Sequence, residues 1–256
     1  MKHNYLTSAA VITTLVFNGI ILPAEAYSPD NLASVSSGVS CPGADLSNAD
    51  LSGADLTGLD LSKANLEGAN LTGARLEQTI LDYASLKNCN LKRASFSQAR
   101  LTGASLKNAD APYAYFGHAT MDNSDLSGGR FFRADFRAAS LQESSGYSGN
   151  FQEATFDKAD MRRADFSFAN ISYGWMFEAD LTESLFTGAN LYEINAPGVK
   201  GQRANFTSAK LGKARLGGSD FTEAVFDKAM LDNAVFKDAT LKNTVWGTAF
   251  KRNAIF

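Results

Sequence analysis

Group transfer and hydrolysis need a nucleophile, a base and an acid brought together, and in this sequence the base is scarce. Beyond residue 26 the one histidine is His118. Serines and aspartates are plentiful, but they recur at positions that a repeat dictates, so His118 reads as a surface residue. The series Asp45, Asp50, Asp55 and Asp60 has the carboxylates of a cation site but not the convergence. With a five-residue step around four sides, each faces a different direction. No glycine-rich loop of the kind that cradles phosphate breaks the pattern. Cys89 occupies a small inward slot, where a thiol behaves as a small apolar group. Cys41 lies about two coils away, at a separation of ~10 Å or more, too far for a disulfide. No catalytic, cofactor-binding or metal-ligating residue is assigned, and the chain does not read as an enzyme.

The repeat that fixes these positions starts at Ala44-Asp45-Leu46-Ser47-Asn48 and runs to Phe256 without a frame slip. A large apolar residue, the centre, recurs at 46, 51, 56 and onward, and Ala, Ser or Gly usually stands two residues before it. An α-helix would carry successive centres ~140° apart and scatter them over every face. In an extended segment the centre and the small residue two before it point the same way, and the residue between them points out. The remaining two positions, rich in Gly, Ser, Thr, Asn and Lys, suit a turn. Phenylalanine centres recur at a spacing of twenty, as in Phe96, Phe116, Phe136 and Phe156. Twenty residues per coil means four sides, and about ten to eleven coils in all. Ala196 and Gly201 at centres, Ile194 and Val199 at small slots, and Asn195-Ala196-Pro197-Gly198 predict a loop or distorted side over 193–203. Leu59, bulky at a small slot, predicts another bulge.

Ala44-Asp45-Leu46, Ala64-Asn65-Leu66 and Ala169-Asn170-Ile171 resemble the pentapeptide-repeat family over roughly 44–256. Together with Cys41-Pro42-Gly43 and an export signal, the sequence is similar to exported cyanobacterial members. The resemblance implies an all-β fold, a right-handed quadrilateral β-helix or solenoid. Some family members protect a DNA topoisomerase by imitating DNA.

The ends carry their own signals. Lys2, an apolar run from Ala9 to Leu22 and Pro23-Ala24-Glu25-Ala26 read as a signal peptide over 1–26, cleaved before Tyr27. Export then implies periplasm or thylakoid lumen, with no membrane span in the mature chain. Residues 27–43 form an N-terminal cap segment. Ser28-Pro29-Asp30 can start a short helix there, whose Leu32, Val35 and Val39 cover the first coil. The repeats themselves span 44–256, and the C-terminal edge is expected to be uncapped.

Two departures from the repeat are candidate sites. Tyr113, Tyr115, Phe132, Arg133, Tyr173, Trp175 and Tyr192 fall along one edge at a twenty-residue register, a candidate binding edge for a partner or a sugar. Val225, Met230, Val235, Val245, Phe250 and Ile255 take outward positions that elsewhere hold Asp or Asn, a candidate association end. The preferred reading is a non-catalytic exported scaffold or protein-interaction module, with a protein partner or self-association through the C-terminal end. The alternative is a DNA-mimic inhibitor or protector of a topoisomerase. A formal net charge of −3 imitates DNA poorly, and the chain lacks the basic excess that nucleic-acid binding requires.

Overall fold

The computed structural model describes residues 27–256, so the signal peptide expected over 1–26 lies outside the described residues. One helix, α1, spans Pro29–Ser36. Ser28 caps it by accepting the Asn31 N–H, and Pro29 stands where a missing N–H costs nothing. Val35 is buried and Leu32 packs partly against the core, but Val39 is exposed. Gly38, at φ +79°, turns the chain out of the helix and carries Val39 away from the first tier.

From Cys41 onward nearly all pentapeptides repeat one set of backbone bonds. The carbonyl of a centre accepts from the N–H three residues on, as Ala49 N to Leu46 O at 3.1 Å, closing a turn. The second residue inside that turn has positive φ, +57° at Asn48 and +66° at Gly53, which makes it a type II turn. The outward residue donates to the small residue of the preceding tier, as Asn65 N to Ala44 O at 2.8 Å. It accepts from that tier's next centre, as Leu46 N to Asn65 O at 2.7 Å. One N–H per repeat is left over, on the first residue of the turn, and an outward Asp or Asn can take it. Ser47, Ser52 and Thr57 donate their N–H groups to Asp45, Asp50 and Asp55 Oδ1. Asp and Asn are favoured outward because their short side chains reach that donor.

The expected all-β, right-handed quadrilateral β-helix, and the label of β-solenoid with it, needs correction. Each outward residue from Asp45 to Val235 forms one isolated parallel bridge to the residue twenty ahead, and no sheet forms among the described residues. The reason is local. The turn takes up four of every five residues, which leaves a single position to pair and nothing to extend into a strand. The described residues form tiers of four turns stacked through single bridges, with α1 at one end.

Side chains fill the middle of these tiers. Phe96, Phe116, Phe136 and Phe156 stack at ring-centroid spacings of 4.8, 4.9 and 4.9 Å, so one tier rises by about that much. Glycine centres are filled from the adjoining tier. A Cβ on Gly146 or Gly201 would lie 2.4 Å from the Phe166 ring or 2.6 Å from the Phe221 ring.

The predicted irregularity over 193–203 is also corrected. Asn195 and Lys200 hold their bridges in both directions, and Ile194 and Val199 are buried. Large and small residues have exchanged places within one pentapeptide, Ile194 with Ala196 and Val199 with Gly201, so the interior volume is kept. Pro197-Gly198 keeps the usual turn position for positive φ, with Gly198 at +70°, while the Ser219 hydroxyl links Val199 N–H to Ala196 O in place of the direct turn bond. Leu59 likewise keeps its turn bond to Leu56 O, at 3.2 Å, and is buried without a bulge.

Candidate functional site

The aromatic edge is built by two columns of the stack. Tyr113, Phe132, Arg133, Tyr173 and Tyr192 stand in successive copies of one turn, while Tyr115 and Trp175 stand at the outward position that follows it. Tyr113 meets Phe132 edge-on with centroids 5.7 Å apart, and the Arg133 guanidinium lies 5.1 Å from the Phe132 ring. Arg133 Nε also donates to Glu153 Oε2 at 2.6 Å. Two tiers further, Tyr173 meets Tyr192 edge-on at 5.8 Å, and Lys213 Nζ sits 5.3 Å from the Tyr192 ring. The seven residues thus form two clusters on one edge, with Glu153 and Gln152 between them.

Glycines make room for these rings. A Cβ on Gly117 would stand 2.5 Å from the Tyr115 ring, and one on Gly212 would stand 3.1 Å from the Tyr192 ring. Tyr115, Phe132 and Tyr192 are accordingly half-buried, whereas Tyr113, Tyr173 and Trp175 remain exposed by 44%, 43% and 43%. Around Tyr173 and Trp175 opens a shallow groove of about 660 Å³, which Gln152, Glu153, Asn195 and Arg215 also line. Trp175, Asn195 and Arg215 are one bridged column. Lys213 Nζ pairs with Glu193 Oε1 at 2.9 Å. Its hydrogen bond is the main cause holding the Glu193 carboxyl below its ordinary value, with Arg215 a weaker one.

The apolar outward residues near the C-terminus stack in pairs. Val225 bridges Val245, Met230 bridges Phe250 and Val235 bridges Ile255, which spreads the apolar belt over three of the four sides. Met230, Val245, Phe250 and Ile255 are exposed, while Val225 and Val235 are half-buried. Lys251, at an inward position, lays its ammonium 5.0 Å from the Trp246 ring. In the same tier the positive φ sits at the first turn position instead of the second. Thr248 is the only β-branched residue at the second turn position, and β-branching resists positive φ. Gly247 takes the positive φ instead, at +45°, and Asp227 Oδ1 accepts the Thr248 N–H at 2.9 Å.

Nothing among the described residues gathers the groups that catalysis requires. His118 is exposed in a turn at φ +59°. No group of three or more His, Cys, Asp or Glu residues is placed to hold a metal ion among the described residues. Cys41 and Cys89 are free; burial pushes the Cys89 thiol up to about 12, and its Sγ donates to Leu66 O at 2.9 Å. No described helix is long and apolar enough to cross a membrane. Sequence reasoning missed a second aromatic edge, where Tyr147 meets Phe168 at 5.5 Å, and it missed exposed Tyr83. The signal was there, since both Tyr83 and Phe168 stand in turns twenty residues before a glycine, Gly103 and Gly188, that makes room for the ring.

The sequence matches the family described as pentapeptide repeats in eight copies, over 37–68, 60–98, 69–108, 89–128, 99–137, 150–182 and 202–238. Among solved structures it is similar to HetL, a pentapeptide-repeat protein involved in heterocyst differentiation regulation in the cyanobacterium Nostoc. That likeness has 26% identity and a TM-score of 0.57, and covers 87% of this chain and 94% of HetL. It is also similar to a pentapeptide-repeat protein of the Arabidopsis thaliana thylakoid lumen, with 32% identity, coverage of 43% and 72%, and a TM-score of 0.36. QnrB1, a plasmid-mediated fluoroquinolone resistance protein, is similar at 17% identity, with coverage of 80% and 91% and a TM-score of 0.45. No curated protein matches the chain.

Proposed function

Because this chain belongs to the pentapeptide-repeat family, we propose that it is an exported scaffold that binds through its surface. It is non-enzymatic, and its working parts are the belt around Val245 and Phe250 and the edge around Trp175. The belt carries the reading. An Asp or Asn outward does two jobs elsewhere in the stack, taking water on one side and capping a turn N–H on the other. Val225, Met230, Val235, Val245, Phe250 and Ile255 give up both. A run of outward residues that forgoes its caps on three sides at once is what a surface needs if a protein is to cover it. The occupant is a protein, either a partner or a second copy of the chain.

Export is supported by Lys2, the apolar run from Ala9 to Leu22 and the Ala24-Glu25-Ala26 cleavage pattern. It places the protein in the periplasm or thylakoid lumen. Imitation of DNA is disfavoured by the pairing of its charges. Arg133 with Glu153, Arg163 with Glu143 and Arg203 with Glu183 neutralise acids tier by tier, and no continuous anionic ridge remains on these columns.

The test is affinity capture from the exported fraction with the full chain and with a Val245→Asp, Phe250→Asp variant as bait. The reading expects a protein, or untagged copies of the chain, retained by the first and lost from the second. Equal retention by both baits would remove the belt from the account.

A further inference from the structure

The edge that this reading treats as a binding surface has a more specific chemistry. Tyr113-Ala114-Tyr115 and Tyr173-Gly174-Trp175 occupy the same positions of the repeat on the same edge. In each, a turn aromatic and an outward aromatic flank a small inward residue. They are three tiers apart, roughly 15 Å at the rise of the stack. Between the brackets lie Phe132, Arg133 and Asp135 in one tier and Gln152, Glu153 and Thr155 in the next, and Asn195 stands just beyond Trp175.

We infer that this edge binds a linear β-1,4-linked oligosaccharide lying along the stack, with the two aromatic brackets as its end subsites. Three observations fit that occupant better than a peptide. The rise of 4.8–4.9 Å per tier is close to the advance of one β-1,4-linked hexose, so successive sugars meet successive tiers in register. Exposed Trp175 and Tyr173 offer flat, amphipathic faces of the kind that pack on the C–H faces of pyranose rings. Gln152 and Asn195 offer planar amide groups suited to paired hydroxyls. The groove is shallow and lacks the deep apolar pockets that anchor a peptide side chain. Arg215 also lines the groove.

This inference rests on the edge being a binding surface, and its readout is independent of the belt. The full chain is titrated by calorimetry with cellohexaose, chitohexaose and the matching trioses, and with a proline-rich peptide. Trp175 fluorescence is followed in parallel. The expected result is saturable binding of one hexaose, at least about tenfold tighter than its triose because the triose spans one bracket. Trp175→Ala and Tyr113→Ala, both at exposed rings, should each weaken the hexaose about tenfold or more with the fold retained by melting temperature. Val245→Asp, Phe250→Asp should leave sugar affinity unchanged, whatever it does to protein capture. Failure of both hexaoses to bind, binding indifferent to Trp175→Ala, or binding of the proline-rich peptide alone would overturn the inference.

Discussion

The Ser219 hydroxyl stands where a turn bond is missing, accepting the Val199 N–H at 3.0 Å and donating to Ala196 O at 3.2 Å. At Ala204, Ala209 and Ala214 the small-slot N–H donates directly to the preceding centre, as Ala204 N does to Gly201 O. Here a side chain from the following tier completes the connection, and Ser219 is itself buried. Ser219→Ala should leave a buried N–H unpaired and lower stability by about 1–3 kcal/mol. Thermal and urea melts of the two proteins check this. An unchanged midpoint would mean that the Val199 N–H finds another acceptor.

The exchange of large and small residues around the same place makes a second prediction. Ile194→Ala should open a cavity beside Ala196 and cost about 2–5 kcal/mol. Ala134→Leu should cost about 1–3 kcal/mol by overpacking a regular tier. A double variant Ile194→Ala, Ala196→Ile restores the ordinary order of the repeat and should recover part of the loss. Melting curves for the three variants decide whether volume is what the pentapeptide conserves.

Turn geometry makes a third. Ala138 holds φ +53° without a side chain that hydrogen-bonds locally, so Ala138→Gly should relieve strain and stabilise by up to about 1 kcal/mol. Gly247→Ala should do the reverse, because its Cβ would meet the Asp227 carboxylate at 2.1 Å. Opposite shifts in melting temperature are expected, and shifts of the same sign would contradict the turn assignment.

These comparisons show what the sequence made legible. The five-residue period, the inward pair and the twenty-residue register can be read from Ala44 to Phe256, because each rests on a side chain's size. The absence of strands was harder to read. It depends on the turn consuming Leu46 through Ala49, a backbone bond that residue types only hint at. Ile194 and Val199 looked like an interruption because a rule of small slots ignores what the neighbouring centre gives up. The aromatic edge was legible from register alone, but its division into two clusters depends on Arg133 reaching Glu153.

Acid should weaken the first tiers. The Ser47 hydroxyl holds the Asp45 carboxyl below its ordinary value, as Ser52 does for Asp50 and Thr57 for Asp55, while the Ser62 N–H does so for Asp60. A depressed folded pKa contributes stability that is complete above the unfolded value and fades as pH falls through the folded one. Melting temperature should therefore drop as pH falls below about 4. Replacing all four by Asn keeps the caps and removes the titration, so that variant should show a shallower drop. Parallel melts from pH 7 to pH 3 compare the slopes.

Thiol chemistry should separate the two cysteines. Cys41 is partly accessible, while Cys89 is buried with its thiol pushed up to about 12. A thiol reagent at neutral pH should modify Cys41 in the folded chain and Cys89 only after unfolding. Mass spectrometry of digested protein reads both sites, and early modification of Cys89 would contradict its placement.

The central claim is that the belt around Val245 and Phe250 is a contact surface for protein. Its most direct measurement is the solution mass of the purified chain, by sedimentation equilibrium over a wide concentration range, alone and with any protein captured by it. A dimer or a defined complex is expected for the wild type. A folded monomer is expected for Val245→Asp, Phe250→Asp, with tiers intact by melting temperature. A wild type that stays monomeric at high concentration, and whose captured partners bind the double variant equally well, would contradict it.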